Sequence, residues 1–148
     1  MPSLLEPANQ HQIDGRLALQ RFLMTPTKAL RIYIAGPYSA DSEDQVVSNV
    51  AVAIDAAIHL VKRGHYPFVP HLTHFVDLRA KEIGAELLWE DYLRWDMEWL
   101  KLCDAVLFLG NSKGADLELQ AAVEMGKEVY YSLDGIPGYR VASEDPAS

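Results

Sequence analysis

The chain has 148 residues, a formal net charge of −8 and a single cysteine, Cys103. Its hydrophobic share of 49% and charged share of 23% are ordinary for one globular domain and exclude a disordered or collagen-like chain. The acidic balance argues against duplex nucleic acid as a partner, because such binding needs clustered cations. One cysteine excludes both an intrachain disulfide and a zinc site built from cysteines.

Residues 1–29 differ in composition from the rest of the chain. They are mostly polar, contain three prolines and include one amphipathic stretch at 13–24. We interpret them as an N-terminal extension, either a docked helix or a mobile tail, and residues 30–148 as one domain. The chain starts without a basic stretch followed by an apolar one, and it has no run of about 20 apolar residues. We therefore expect a cytoplasmic protein that does not span a membrane.

The domain begins with a short apolar strand, predicted at 31–35. A helix is predicted at 41–63, because its apolar residues recur at helical spacing and basic residues precede Gly64 at its end. The remaining elements are, in order, a strand at 66–69, a helix at 87–102, a strand at 105–109, a helix at 115–125 and a strand at 129–132. This alternation predicts an α/β fold with a single-domain, Rossmann-like or flavodoxin-like parallel sheet flanked by helices.

Parallel sheets bind ligands at the carboxyl ends of their strands, so the candidate ligand sites are the four segments that follow the predicted strands: Gly36–Asp44, Pro70–Phe75, Gly110–Gly114 and the segment after Tyr131. The loop Gly36-Pro37-Tyr38 matches neither the dinucleotide fingerprint nor the phosphate-binding P-loop, which argues against a dehydrogenase or a P-loop enzyme. The loop at 110–114 is rich in small and polar residues and leads into a helix. Its backbone N–H groups would suit an anion or a hydroxyl, although a plain turn explains either loop equally well.

Several polar side chains near these loops are candidates for chemistry. Asp96 lies in the middle of a predicted helix between tryptophans, and Glu118 lies about one turn inside the next helix. A solvated surface position would also explain each of them. His71 and His74 follow the second strand, but no third ligand lies nearby. We therefore expect a hydrogen-bonding histidine in a pocket, and neither a metal site nor a cofactor.

Four segments of the chain carry a family resemblance. They are Ile32–Pro37, Trp95–Val106, Ser112–Leu119 and Gly126–Val129. In this order they resemble the nucleoside 2-deoxyribosyltransferase family, which includes the related 2′-deoxynucleoside 5′-monophosphate N-glycosidases. The resemblance covers about residues 31–132, and it implies an enzyme that cleaves the N-glycosidic bond of a deoxynucleoside.

The resemblance implies catalytic roles for three residues. Glu118 falls at the position of the nucleophile, Tyr33 at that of the tyrosine that holds its carboxylate, and Asp96 at that of the acid that assists proton transfer to the base. This pairing follows the logic of a retaining glycosidase. We expect the helix N-terminus to keep a partly exposed Glu118 ionised, and burial among Trp95, Trp99 and other apolar side chains to raise the pKa of Asp96.

The group bound at the 5′ end of the nucleoside stays open. Ser112 falls where the transferases usually have an acid and the hydrolases a phosphate-binding serine, whereas the first loop is closer to the transferase form and lacks a phosphate-binding arginine. We expect a deoxyribosyltransferase with deoxynucleoside and nucleobase substrates. The alternatives are a monophosphate N-glycosidase and a non-catalytic nucleotide-binding module. The expected substrate-binding residues are Gly36, Pro37, Tyr38, His71, Ser112 and Gly114.

The resemblance also implies assembly, because relatives complete their active sites with a neighbouring subunit. We expect a homodimer or a larger even homo-oligomer, in which the extension or the C-terminal tail takes part. The predicted helix at 87–102 carries more aromatic surface than a small sheet needs: Trp89, Tyr92, Trp95 and Trp99. Tyr38 and Phe75 are candidates for stacking on the base.

Overall fold

A computed structural model describes residues 11, 14–16 and 29–139 of the chain. Most of the predicted extension, and the C-terminal tail from residue 140 onward, lie outside the described residues. The strands are β1 (Arg31–Ala35), β2 (Tyr66–Phe68), β3 (Ala105–Phe108) and β4 (Glu128–Tyr130). The helices are α1 (Glu43–Lys62), α2 (Thr73–Glu82), α3 (Trp89–Leu102) and α4 (Lys113–Glu124), with 3₁₀ turns at Pro70–Leu72 and Leu133–Gly135.

The four strands form one parallel sheet in the order β2-β1-β3-β4, which confirms the predicted α/β fold. β1 and β3 lie at the centre, and β3 is buried along its whole length. Strands that are covered on both faces are expected to be continuously apolar, as these two are.

The alternation of side chains along β1 divides the core into two layers. Ile32 and Ile34 pack with α1 on one face of the sheet. Tyr33 and Ala35 point to the opposite face, where they pack with Leu100 of α3 and with α4. Tyr33 therefore lies on the same side of the sheet as the two helices that carry Asp96 and Glu118.

All three predicted helices begin two residues away from the predicted positions, for local reasons. α1 begins at Glu43 rather than at 41, because the Ser42 side chain accepts a hydrogen bond from Gln45 N at 3.2 Å and caps the helix. α4 begins at Lys113 rather than at 115, because the Ser112 side chain accepts a hydrogen bond from Ala115 N at 3.1 Å and caps the helix. α3 begins at Trp89 rather than at 87, where Asp91 accepts a hydrogen bond from Leu88 N at 2.8 Å.

α2 was not predicted. Its sequence, THFVDLRAKE, lacks a clear apolar face, and only Ala80 is buried within it. The local signs of a helix are two ion pairs, Lys81 with Asp77 at i, i+4 spacing and Arg79 with Glu82 at i, i+3 spacing.

α1 is long and apolar enough to cross a membrane by length and composition alone. In the structure it is the crossover helix between β1 and β2, and its buried residues are Val50, Ala53, Ala56 and Leu60. An amphipathic crossover helix meets the same criteria of length and composition, so they do not indicate that α1 spans a membrane.

Candidate functional site

A cavity of about 250 Å³ opens at the carboxyl edge of the sheet. It lies between the loop after β1, the 3₁₀ turn after β2, the inward face of α3 and the first turns of α4. The predicted residues that line it are Gly36, Tyr38, His71, Asp96, Ser112, Gly114 and Glu118. The other two predicted residues lie next to it: Tyr33 is fully buried in β1, and the Pro37 carbonyl contacts His71.

Glu118 is buried, with 7% of its surface exposed, and its Oε2 has no hydrogen-bond partner. Burial raises the pKa of its carboxyl to about 8, opposed by the Tyr33 hydroxyl and reinforced by the charge of Asp96. The expectation of a partly exposed, ionised Glu118 is therefore wrong. Glu118 is the sixth residue of α4, beyond the first turn where the helix dipole acts, and it faces the core.

Tyr33 lies in β1, at the centre of the sheet, next to the side chain of Glu118. Tyr33 has no exposed surface. Its ring stacks on Phe68 at 5.6 Å, and Phe68 stacks on Trp99 at 5.4 Å. Burial, with the nearby charges of Glu118 and Asp96, raises the pKa of the Tyr33 hydroxyl far above its ordinary value. The hydroxyl makes no hydrogen bond of normal geometry, although it lies close enough to Glu118 to lower the pKa of that carboxyl. Tyr33 therefore stays protonated and is available as a donor to Glu118.

Asp96 faces the cavity from the middle of α3. Its Oδ1 is buried without a hydrogen-bond partner, and burial raises the pKa of its carboxyl to about 7. The direction of the shift and its cause, burial, agree with the prediction. Trp95 and Trp99 themselves are 41% and 46% exposed.

His71 holds the loop after β1. Its Nε2 lies 3.1 Å from the carbonyl oxygens of both Gly36 and Pro37. Because carbonyl oxygens only accept, Nε2 carries the hydrogen. Burial lowers the pKa of the ring, so His71 is a neutral positioning residue. The described part of the chain contains no group of three or more His, Cys, Asp or Glu residues that could hold a metal ion.

The N-terminus of α4 forms one wall of the cavity. The Ser112 hydroxyl caps the helix. The N–H groups of Lys113 and Gly114 belong to the first turn, where backbone N–H groups have no hydrogen-bond acceptor within the helix. A Cβ atom at Gly114 would lie 3.9 Å from Glu118 Oε1, so this glycine leaves that oxygen open. Lys113 Nζ lies 4.4 Å from the centre of the Trp89 ring, a cation–π contact.

Sequence reasoning missed one wall of the cavity, formed by Asp77 and Tyr92. Tyr92 donates a hydrogen bond to Asp77 Oδ1 at 3.2 Å, and Lys81 donates to Oδ2 at 2.9 Å. Asp77 was missed together with its helix, α2. Of the two predicted stacking residues, Tyr38 lines the cavity, whereas Phe75 is 61% exposed and does not.

The charged side chains that line the cavity are all acidic. Among the described residues that line it, Asp77, Asp96 and Glu118 carry carboxyl groups, and none is a lysine or an arginine. An anionic ligand would find no side-chain cation in this lining.

A family model described as a domain of unknown function (DUF7768) matches residues 30–132. This span contains all four strands of the sheet and all the residues that line the cavity. A comparison with curated proteins finds no match to the chain.

Proposed function

We propose that this chain, which belongs to the family described as a domain of unknown function (DUF7768), is a nucleoside 2-deoxyribosyltransferase. The reaction is cleavage of the N-glycosidic bond of a 2′-deoxynucleoside and transfer of the sugar to another nucleobase. One observation carries the proposal: the buried carboxyl of Glu118 and the half-buried carboxyl of Asp96 face the same cavity with raised pKa values, and Tyr33 lies against Glu118. Such pairs are typical of enzymes that pass a sugar through a covalent intermediate.

The proposed chemistry has two steps. In the first, the Glu118 carboxylate forms a bond to C1′ of the deoxyribose. The electrons of the breaking C–N bond go to the base, which takes a proton from the Asp96 carboxylic acid. In the second, a nitrogen of the acceptor base attacks C1′, releases the Glu118 carboxylate and gives its proton to Asp96. Retention of configuration at C1′ follows from the two displacements.

The two carboxyls need one proton between them for this chemistry. Their pKa values of about 7 and about 8 place that state near neutral pH. The pair shares this proton, and in the reactive form it lies on Asp96 while Glu118 is ionised. The nearby Tyr33 hydroxyl lowers the pKa of Glu118, and its donation of a hydrogen bond to the carboxylate during the reaction would favour this reactive form.

The cavity lining supports an unphosphorylated substrate. A phosphate dianion is usually held by arginine, lysine or several N–H donors, whereas the charged groups of this lining are carboxyls and none is a lysine or an arginine. Lys113, the cation next to the loop, lies over the Trp89 ring. Tyr38, Trp89 and Tyr92 supply aromatic walls that suit a nucleobase.

A second candidate function, a 2′-deoxynucleoside 5′-monophosphate N-glycosidase, is favoured by a different observation. The N-terminus of α4 faces the cavity, with Ser112 as its cap, and helix N-termini bind phosphate groups. The two candidates differ in the group that lies against Ser112, which is a 5′-hydroxyl in the first and a 5′-phosphate in the second.

The experiment incubates the full chain with a deoxynucleoside or its 5′-monophosphate, with and without a second nucleobase, and separates the products. We expect exchange of bases on the unphosphorylated nucleoside. Faster hydrolysis of the monophosphate would favour the second candidate, and binding without turnover of either would indicate a non-catalytic module. Intact-mass measurement should detect a deoxyribosyl adduct that Glu118→Gln abolishes and Glu124→Gln, an exposed glutamate on the same helix, retains.

Ser112→Asp distinguishes the two candidates within one protein. Aspartate is also a good helix cap, so the fold should be retained. The added charge should preserve or improve activity on the deoxynucleoside and lower any activity on the monophosphate. A variant that kept its monophosphate activity would show that no phosphate lies next to residue 112.

A further inference from the structure

α1 carries an apolar stripe on a face that does not contact the sheet. The stripe consists of Val47, Ala51, Ile54, Ile58 and Val61, which follow one another at intervals of four, three, four and three residues. Val47, Ile58 and Val61 are 54%, 50% and 59% exposed. The residues that cover the sheet form a separate face of the same helix.

Two features set this stripe apart from scattered surface hydrophobics. Valine and isoleucine are poorer helix formers than the alanine, lysine or glutamate usual at exposed positions, so helix formation does not explain them. Alternating intervals of three and four residues place apolar side chains in the seam between two paired helices.

The charges at the two ends of α1 indicate which partner covers the stripe. Glu43 and Asp44 are exposed in the first turn, and Lys62 is exposed in the last. A second α1 that runs antiparallel would bring Lys62 of each copy beside the acidic turn of the other. A parallel pair would place like charges together and align the two helix dipoles unfavourably.

We propose that two copies of this chain associate through an antiparallel pair of α1 helices packed along this stripe. With Ala51 of one copy against Ile54 of the other, Lys62 falls opposite Glu43 of the second copy, next to Asp44. The inference is independent of the proposed function.

The exposed tryptophans of α3 form the competing apolar face, which the sequence analysis favoured. Both cations of α3 are already paired within the helix, Arg94 with Asp91 and Lys101 with Glu98. Asp44 and Lys62 of α1, in contrast, form no salt bridge with any described residue. The unpaired charges therefore favour the α1 stripe over α3.

The first test measures the mass of the full chain by sedimentation over a concentration series. We expect a dimer whose dissociation constant rises by about tenfold or more in Ile58→Glu. The matched control is Val52→Glu, which changes a valine that is 54% exposed on the same helix but outside the stripe. Circular dichroism would verify that both variants fold. If Ile58→Glu does not fold, the proposal is tested by charge variants that leave the stripe intact.

The charge test uses two variants, Lys62→Glu and the double variant Glu43→Lys with Asp44→Lys. Each should weaken its own dimer, and an equal mixture should restore association as a heterodimer, because both ends then pair opposite charges. A wild-type chain that is monomeric throughout would overturn the proposal. So would a dimer that survives Ile58→Glu but is lost in Trp95→Glu, or a mixture that does not associate.

Discussion

The burial of Glu118 predicts that its carboxyl destabilises the fold at alkaline pH. Its pKa is about 8 in the folded chain, against an ordinary value of 4.5. The folded state therefore binds the proton more tightly than the unfolded state, so stability should fall as pH rises from about 4.5 to about 8. Glu118→Gln removes the titrating group while keeping nearly the same shape, and should abolish this part of the pH dependence.

The magnitude follows from the difference between the two pKa values. At 1.36 kcal/mol per pKa unit, the cost of the buried carboxyl is about 3 kcal/mol at pH 7 and about 5 kcal/mol above pH 8.5. The glutamine amide is itself buried, and a missing hydrogen bond costs about 1–3 kcal/mol at every pH. We therefore expect Glu118→Gln to be no more stable than the wild type at pH 5, and more stable by about 2–4 kcal/mol at pH 8.5.

Urea unfolding of both proteins at pH 5, 7 and 8.5 measures this difference, with Glu124→Gln as the control for an exposed glutamate on the same helix. A difference between Glu118→Gln and the wild type that stays constant with pH would refute the reasoning, because burial of a titrating carboxyl requires it to grow. The same variant should lose activity, so stability and activity would change in opposite directions at one residue.

Further predictions concern the other carboxyl, the glycine at the cavity and a turn. kcat/KM should show a bell-shaped pH profile with limbs near pH 7 and pH 8, because the pKa values of Asp96 and Glu118 are about 7 and about 8. Activity should fall on the acidic side because the nucleophile becomes protonated, and on the alkaline side because the acid loses its proton. Asp96→Asn should lower kcat about 10²–10⁴-fold and remove the alkaline limb; an unchanged profile would exclude Asp96 as the acid. Gly114→Ala places a methyl group 3.9 Å from Glu118 Oε1, so kcat/KM should fall about tenfold or more while the urea midpoint stays close to that of the wild type. Gly64→Ala should cost more than about 2 kcal/mol in urea unfolding, because its φ is +87° and the new Cβ would lie 1.9 Å from Tyr139 O. Gly126→Ala, with φ +74° and open space around it, should cost only about 1 kcal/mol, and equal losses would contradict the clash.

The secondary structure was largely readable from the sequence, because its signals are local. β3, and β1 from Ile32 onward, are buried runs without a charged residue, as expected of strands that are covered on both faces. α1 has an apolar periodicity, acids in its first turn and Gly64 after its end, and each of these acts within a few residues along the chain. α2 lacks such a pattern, and the cavity wall at Asp77 was missed with it.

The sequence by itself also determined which side chains could meet. Glu118, His71 and the loop at Gly36 all follow strands of a parallel sheet, whose carboxyl ends necessarily lie at one edge. Only the tertiary structure decided how these groups behave. The pKa of Glu118 rises because α4 turns it towards the core beside Tyr33, and Trp95 and Trp99 remain exposed because α3 presents Asp96 inward instead. Burial depends on the packing of elements that are distant in sequence, and no local pattern contains it.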